Sequence, residues 1–244
     1  IYSSDERGTG LFLDLAAYSI ITENNAGQYY PDYAYNHPLF TAGHRIYSDA
    51  TVSEFIRQIS INDSVKFQNE WNSTKDHREK IYISYDSTNK NCQAGDIDIV
   101  EFGHAKDDKG EPVFNYSIAY DTQNRAPLFY EEYPGSIVDV SQLQLMLDKA
   151  KSYGYRHAGF ILDRGYFSRE NIRFMDKCGY DFVIMIKGMK ELVSESVLEV
   201  KGSFENRRRN SIRDYNANGT TIKRKVFLSD EKDRYVHVYY NADR

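Results

Sequence analysis

Two aspartates stand where carboxylates are expensive. Asp86 follows the run Ile81-Tyr82-Ile83-Ser84-Tyr85, and Asp163 follows Ala158-Gly159-Phe160-Ile161-Leu162. Both runs are too apolar for loops, so each carboxylate sits where a strand meets water, and a charge there needs a cationic partner. Two carboxylates held side by side repel unless a divalent cation lies between them. Hard oxygen ligands in an open, hydrated setting suit Mg2+ or Mn2+ rather than zinc, and no His/Cys cluster competes. Two such ions roughly 4 Å apart would activate a water and stabilise the leaving oxygen in phosphodiester cleavage. Taken singly, Asp86 reads as a turn cap and Asp163 as a partner of Arg164. The pair, in the strand order that follows, points to metal.

That order must bring the two residues together. The first strand, beginning at Ile81, is expected to end abruptly in Asp86-Ser87-Thr88-Asn89. Asp107-Asp108-Lys109-Gly110 is a turn signal, residues 113–120 alternate as a strand, 121–125 turn, and 127–133 return as a hairpin partner. A helical period over 140–153, a buried strand at 158–162, a helix over 171–178 and a strand over 181–186 complete the series. The sum is an α/β fold: a mixed sheet with helices on its faces, in which the first and fourth strands lie side by side and parallel. Residues leaving their carboxyl ends then share one crevice.

The flanks differ in texture. Residues 1–79 read as helical: a buried helix over 11–21 (Leu11, Phe12, Leu15, Ala16, Ile20), then a loop rich in tyrosine (Tyr29, Tyr30, Tyr33, Tyr35, Tyr47) broken by Gly27, Pro31 and Pro38. That cluster is either a stacking platform for bases or core-packed aromatic loop. Thr51-Val52-Ser53-Glu54 has capping-box spacing ahead of Val52, Phe55, Ile56 and Ile59, and a helix over 63–74 is expected to bury Val65, Phe67 and Trp71. After residue 190, strands at 194–204, 220–228 and 235–240, with a turn at Asn216-Ala217-Asn218-Gly219, suggest a β-rich lobe over 191–244.

Composition narrows the class. Among 244 residues, 41% hydrophobic and 27% charged exclude a disordered chain, and the net charge of −5 excludes a wholly basic nucleic-acid coat. No run of 18 apolar residues occurs, so no membrane-spanning helix is expected. The two cysteines, Cys92 and Cys178, form neither a disulfide framework nor a CxxC pair, which suits a reducing cytoplasm. The start at Ile1 suggests a piece cut from a longer protein, without a signal peptide. The histidines (His37, His44, His77, His104, His157, His237) have no metal spacing and are read as structural; His104, near Lys106, is a candidate to approach Asp86, with nothing in the sequence to decide it. No GxGxxG or GKS/T loop supports a nucleotide site.

At this point a family resemblance becomes specific. Tyr85-Asp86-Ser87-Thr88-Asn89, followed by Lys106-Asp107-Asp108-Lys109-Gly110-Glu111-Pro112-Val113-Phe114-Asn115, resembles the first-aspartate region of bacterial insertion-sequence transposases of the DDE type. Tyr130-Glu131-Glu132-Tyr133-Pro134-Gly135-Ser136 with Asp139 is similar to that family's strand-to-helix passage. Gly159 to Ser168, with Asn171-Ile172, resembles the block holding the second catalytic aspartate, and 179–187 the strand after it. The resemblance covers roughly residues 80–190 and implies a ribonuclease-H-like core that cuts and rejoins double-stranded DNA with Mg2+ or Mn2+. It implies that Asp86 and Asp163 are the catalytic metal ligands and Arg164 a phosphate or carboxylate partner. It further implies oligomeric binding of the element's terminal repeats (a homodimer when assembled on DNA) in the bacterial, nucleoid-associated cytoplasm. The family's third acid is a glutamate on a helix after the insertion. Glu191, Glu195, Glu199, Glu205 and Glu231 all fall inside the presumed lobe, so this chain is expected to lack one ligand and to be inactive alone. A nuclease on the same fold and a non-catalytic DNA-binding relic are the rival readings.

DNA contact has its own candidates. Residues 201–225 hold eight Lys/Arg (Lys201, Arg207, Arg208, Arg209, Arg213, Lys223, Arg224, Lys225) against two acids (Glu205, Asp214). That local excess is suited to salt-sensitive phosphate contact, or else is a solvated hairpin surface. Lys187 and Lys190, leaving the last core strand, are better placed beside the metal crevice.

Overall fold

A computed structural model describes residues 6–76, 79–93, 97–205 and 207–241. It divides into two compact units, residues 1–76 and 77–244.

The first unit holds α1 (Glu6–Thr22), α2 (Tyr30–Asn36), α3 (Asp49–Gln58) and α4 (Ile61–Ser73). Its core is Leu11, Tyr18, Tyr30, Tyr33, Ala34 and Val52. The tyrosine-rich stretch is therefore partly helix, with Pro31 in the first turn of α2, where its missing N–H costs nothing. Tyr18 packs 6.0 Å from Tyr30 and 5.3 Å from Tyr33, so packing rather than base stacking claims these rings. Asp14, buried, fixes the chain beyond α2 by accepting from the Phe40 N–H at 2.6 Å and the Thr41 hydroxyl at 2.5 Å.

Several helix expectations need correction. Phe12 and Ile20 face solvent, because the buried side of α1 is set by Leu11, Asp14 and Tyr18. The cap of α3 is Ser48, not Thr51: the Ser48 hydroxyl accepts from the Thr51 N–H, and Glu54 instead pairs with Arg57. The capping box lies one helix later, between Ser60 and Asp63 at the start of α4. In α4 the buried positions are Gln68 and Asn72, and Val65 and Phe67 are about half exposed. Phe67 and Trp71 stack on each other along the helix surface, rings 6.4 Å apart.

The second unit is built on β1 (Tyr82–Asn91), β2 (Val113–Asp121), β3 (Ala126–Pro134), α5 (Asp139–Ser152), β4 (Gly159–Leu162), α6 (Arg169–Cys178) and β5 (Asp181–Ile184). The sheet order is β3-β2-β1-β4-β5. β1, β2 and β3 pair antiparallel, whereas β4 and β5 run parallel to β1. This is the expected ribonuclease-H-like mixed sheet.

One face of that sheet is dry. Ile83, Tyr85, Phe160 and Leu162 meet Leu143, Met146 and Leu147 of α5 and Ile172 and Met175 of α6 in one core. Burial of such side chains is worth roughly 1.5–3 kcal/mol each, which makes this layer the main source of the unit's stability. The other face is open: Ile118, Ile161 and Val183 share it at 42%, 38% and 52% exposure.

A buried polar chain crosses the dry face. Tyr85 Oη donates to Glu131 at 2.9 Å and lies 2.6 Å from Ser117 Oγ; Gln142 donates to the same carboxylate, and Lys149 Nζ stands 3.8 Å from it. Burial pushes the Tyr85 hydroxyl far up, so it stays a donor, and burial lowers Lys149 against the opposing pull of Glu131.

Beyond the sheet come α7 (Lys190–Val200), β6 (Ser211–Ile212), β7 (Ala217–Arg224) and β8 (Arg234–Tyr240), the last three forming a separate sheet. The strand expected over 194–204 is a correction: those residues are largely α7. Its β-branched residues mislead, whereas its buried positions, Ser196 and Val200, are four apart and define a helical face. The turn expected at 216–219 shrinks to Asn216, in the left-handed region at φ 47°, and β7 begins at once. The lobe is tied to its neighbours by charge. Arg224 bonds Glu195 and Ser196 of α7. Arg234 pairs with Asp176 of α6, which also lies 3.6 Å from Lys232.

The Arg234 hydrogen bond holds the Asp176 carboxyl below the ordinary carboxylate range, against a smaller upward push from burial. A lowered carboxylate contributes stability that is full above its unfolded pKa and is lost as pH falls through the folded value. In thermal unfolding, the chain should therefore be more stable than Asp176→Asn at about pH 6, with the gap closing as the pH falls below the ordinary aspartate range, about 3.9. A gap of equal size above and below that range would contradict this.

Candidate metal centre and nucleic-acid interface

Asp86 lies inside β1, not at its end. The strand continues to Asn91, paired residue by residue with β2, and the buried Asn89 side chain finds polar partners in His104 and Lys106. What ends near Asp86 is the parallel pairing: β1 meets β4 from Tyr82↔Gly159 to Tyr85↔Leu162. Asp86 and Asp163 each directly follow the last parallel pair, one on either chain segment. Both are exposed, and alternation puts Asp86 on the open face with its register neighbour Ile118.

Each carboxylate is steadied by its own backbone. Asp86 Oδ1 accepts from the Ser87 N–H at 2.9 Å. Asp163 Oδ1 accepts from the Gly165 N–H at 2.7 Å and caps the short helical turn 164–166. Among the described residues neither makes an ion pair, so the reading of Asp163 as a partner of Arg164 fails. The donor set fits a hard divalent cation: Mg2+ takes one or two carboxylates and keeps several waters. Among the described residues no third His, Cys, Asp or Glu joins them in a metal-sized group.

The turn after Asp163 is held from two sides. Tyr166 is fully buried, its ring 5.4 Å from Tyr85, so the residue before Asp86 packs on the turn after Asp163. Asn171, also buried, donates to the carbonyls of Val140 and Tyr166 at 2.8 and 3.0 Å, while its own N–H is capped by Ser168. Sequence reasoning placed Asn171 only in a matching block. Its signal was an amide one turn into a helix capped by Ser168, a position where a side chain can still reach the preceding loop.

The other candidates separate. Arg164 is exposed in the turn beside Asp163. Lys187 is exposed just past β5, and since Met185 N–H still bonds the Leu162 carbonyl, it leaves the same end of the sheet as Asp163. Lys190 opens α7. On the lobe, Arg207, Arg208, Arg209 and Lys225 are exposed, and Lys223 lies 4.8 Å over the Tyr235 ring. Arg224 is already committed to Glu195. His104 contributes a backbone carbonyl, to Asn89, rather than its ring. His77 lies outside the described residues, as does the side chain of Asp139.

With this geometry in place, comparison with known proteins is direct. The family model for the transposase DDE domain matches residues 78–241, so the chain belongs to the DDE transposases. No curated protein matches it. Among solved structures, it resembles a Mos1 transposase paired-end complex with the left transposon end at 12% identity and TM-score 0.29, covering 70% of this chain and 57% of that one. It resembles a piggyBac transposase synaptic complex with hairpin DNA at 9% and 0.44, covering 96% and 52%. A Drosophila P element transposase strand transfer complex gives 13% and 0.40, covering 84% and 45%. The chain thus spans about half the length of these proteins, and at such scores the likenesses add no weight to the family match. No helix among the described residues is long and apolar enough to cross a membrane.

Replacing Asn171 with Ala removes the amide that donates to the Val140 and Tyr166 carbonyls. Asn171→Ala should cost about 1–3 kcal/mol in denaturant unfolding and speed amide exchange at Gly165. Unchanged exchange there would show that Asn171 does not hold the Asp163 turn.

Proposed function

We propose that the chain is the catalytic-core region of a transposase that cuts DNA at the ends of a mobile element and joins the freed ends to another site. The observation that carries this reading is the placement of Asp86 and Asp163 at successive register positions, immediately beyond the last parallel pair of β1 and β4. A bound pair of Mg2+ or Mn2+ ions would supply water activation and leaving-group stabilisation. The chain's own work is position and charge. The Ser87 and Gly165 N–H groups each take one carboxylate oxygen and fix its rotamer. The turn packed on Tyr85 keeps the second carboxylate from swinging away from the first.

Around that pair, Arg164, Lys187 and Lys190 are proposed to meet phosphates near the site. Arg207, Arg208, Arg209, Lys223 and Lys225 are proposed to meet the duplex backbone further off, a salt-sensitive contact carrying little sequence information. Arg224 is better assigned to holding β7 on α7. We place the protein in the bacterial cytoplasm with the nucleoid, acting as a homodimer on the element's terminal repeats. The resemblance adds a third acidic ligand, a glutamate, that has no counterpart grouped with Asp86 and Asp163 among the described residues. The chain by itself is therefore proposed to bind metal and DNA without turnover.

Two titrations test this. Mn2+ binding followed by electron paramagnetic resonance should weaken at least about tenfold in Asp86→Asn and in Asp163→Asn, since loss of a ligand exceeds loss of a ligand's hydrogen-bond partner. Affinity unchanged in both variants would reject the metal site. For duplex DNA, the slope of log affinity against log salt should fall by about three when Arg207, Arg208 and Arg209 are all changed to Ala, and should be untouched in Arg224→Ala.

A further inference from the structure

We infer that Lys106 is a phosphate-positioning residue of the same site, holding the phosphodiester of the DNA strand engaged at Asp86 and Asp163. The inference rests on the function proposed above and adds a residue to it.

In β1 the Ile81 carbonyl accepts from the Gly159 N–H on the β4 side, whereas the Tyr82 carbonyl accepts from the Thr122 N–H on the β2 side. Odd-numbered residues therefore turn their peptide groups toward β4. But β4 stops at Leu162, so from Ser87 onward this edge of β1 has no strand beside it.

Residues 104–108 supply partners there, gripped by two asparagines. Asn89 Nδ2 donates to the His104 carbonyl at 2.8 Å, and Asn89 Oδ1 accepts from the Lys106 N–H at 3.0 Å. Asn91 repeats the device on Asp108, donating to its carbonyl at 2.7 Å and accepting from its N–H at 3.2 Å. Each side-chain amide thus does for the segment what a backbone rung would do.

The consequence is the placement of one cation. Lys106 Nζ donates to the Ser87 carbonyl at 2.8 Å. The N–H of that same residue donates to Asp86. Ser87 therefore couples the two groups: carboxylate on its amide side, ammonium on its carbonyl side, facing the gap that opens where the chain leaves β4 at Asp163. The ammonium keeps two further protons, Lys106 is exposed, and no described acidic side chain pairs with it. A charge pinned by a neutral carbonyl is pre-oriented yet uncompensated, the state suited to receiving an anionic phosphate oxygen. A lysine serving only to brace the loop would gain from a carboxylate partner, and none is provided.

The test measures coupling between metal and DNA in the full chain. Mn2+ affinity is titrated with and without a random-sequence 16-base-pair duplex at fixed salt. A phosphate that joins the metal site tightens Mn2+ binding, by about tenfold for a coupling in the usual range. Lys106→Ala should leave Mn2+ affinity without DNA within about twofold and reduce the coupling to less than about threefold. Lys106→Arg should restore it, and Lys109→Ala, an exposed neighbour in the same turn, should leave it intact. Full coupling in Lys106→Ala would overturn the assignment while leaving the metal site standing. Loss of Mn2+ affinity in that variant without DNA would overturn it too, by assigning Lys106 to the metal site's structure. Absence of saturable Mn2+ binding in the unaltered chain would instead remove the function on which the inference rests.

Discussion

The parallel pairing of β1 with β4 is the constraint on which the site depends. It sets Tyr85 opposite Leu162 and so delivers one aspartate from each strand to the next position along the sheet. Two like charges brought to one edge of a sheet repel, the more so the less water screens them. A fold tolerates that only because the apolar layer beneath, from Ile83 and Phe160 to Leu147 and Met175, contributes far more than the repulsion removes. A divalent cation would relieve that repulsion, which is the role proposed for the site.

The two faces of the sheet divide the work. On the dry face, Tyr85 packs on Tyr166 and donates to Glu131, which locks the backbone on either side of the aspartates. On the open face Asp86 stands exposed beside its register neighbour, the half-exposed Ile118. Because successive strand residues point to opposite faces, one residue's shift in the β1–β4 register would move a carboxylate into the core. The register is secured by bulky neighbours on the dry side, well away from any ligand.

Much of this was legible in the sequence, and the failures have physical causes. The apolar runs before Asp86 and Asp163, and the strand order between them, gave the sheet and its parallel pair. The length of β1 was misjudged because Ser87, Thr88 and Asn89 look like turn residues; pairing with β2 and contacts from residues 104–106, remote in sequence, hold them in a strand. α7 was misread because Val193, Val197 and Val200 favour strands locally, while burial of Ser196 and the Arg224 contact favour a helix. Tyr30 and Tyr33 drew attention as aromatic rings, yet their partner Tyr18 lies in a helix the pattern had not linked to them. Arg224 sat within a basic run whose sequence gave no hint that Glu195 neutralises one member. In each case the deciding contact joins segments far apart in the chain.

The most direct measurement is anomalous X-ray diffraction from crystals of the chain grown with Mn2+. A manganese peak is expected within coordination distance, about 2.0–2.4 Å, of a carboxylate oxygen from both Asp86 and Asp163. Ordered carboxylates with no manganese between them, or a peak bound elsewhere at full occupancy, would contradict the shared metal site.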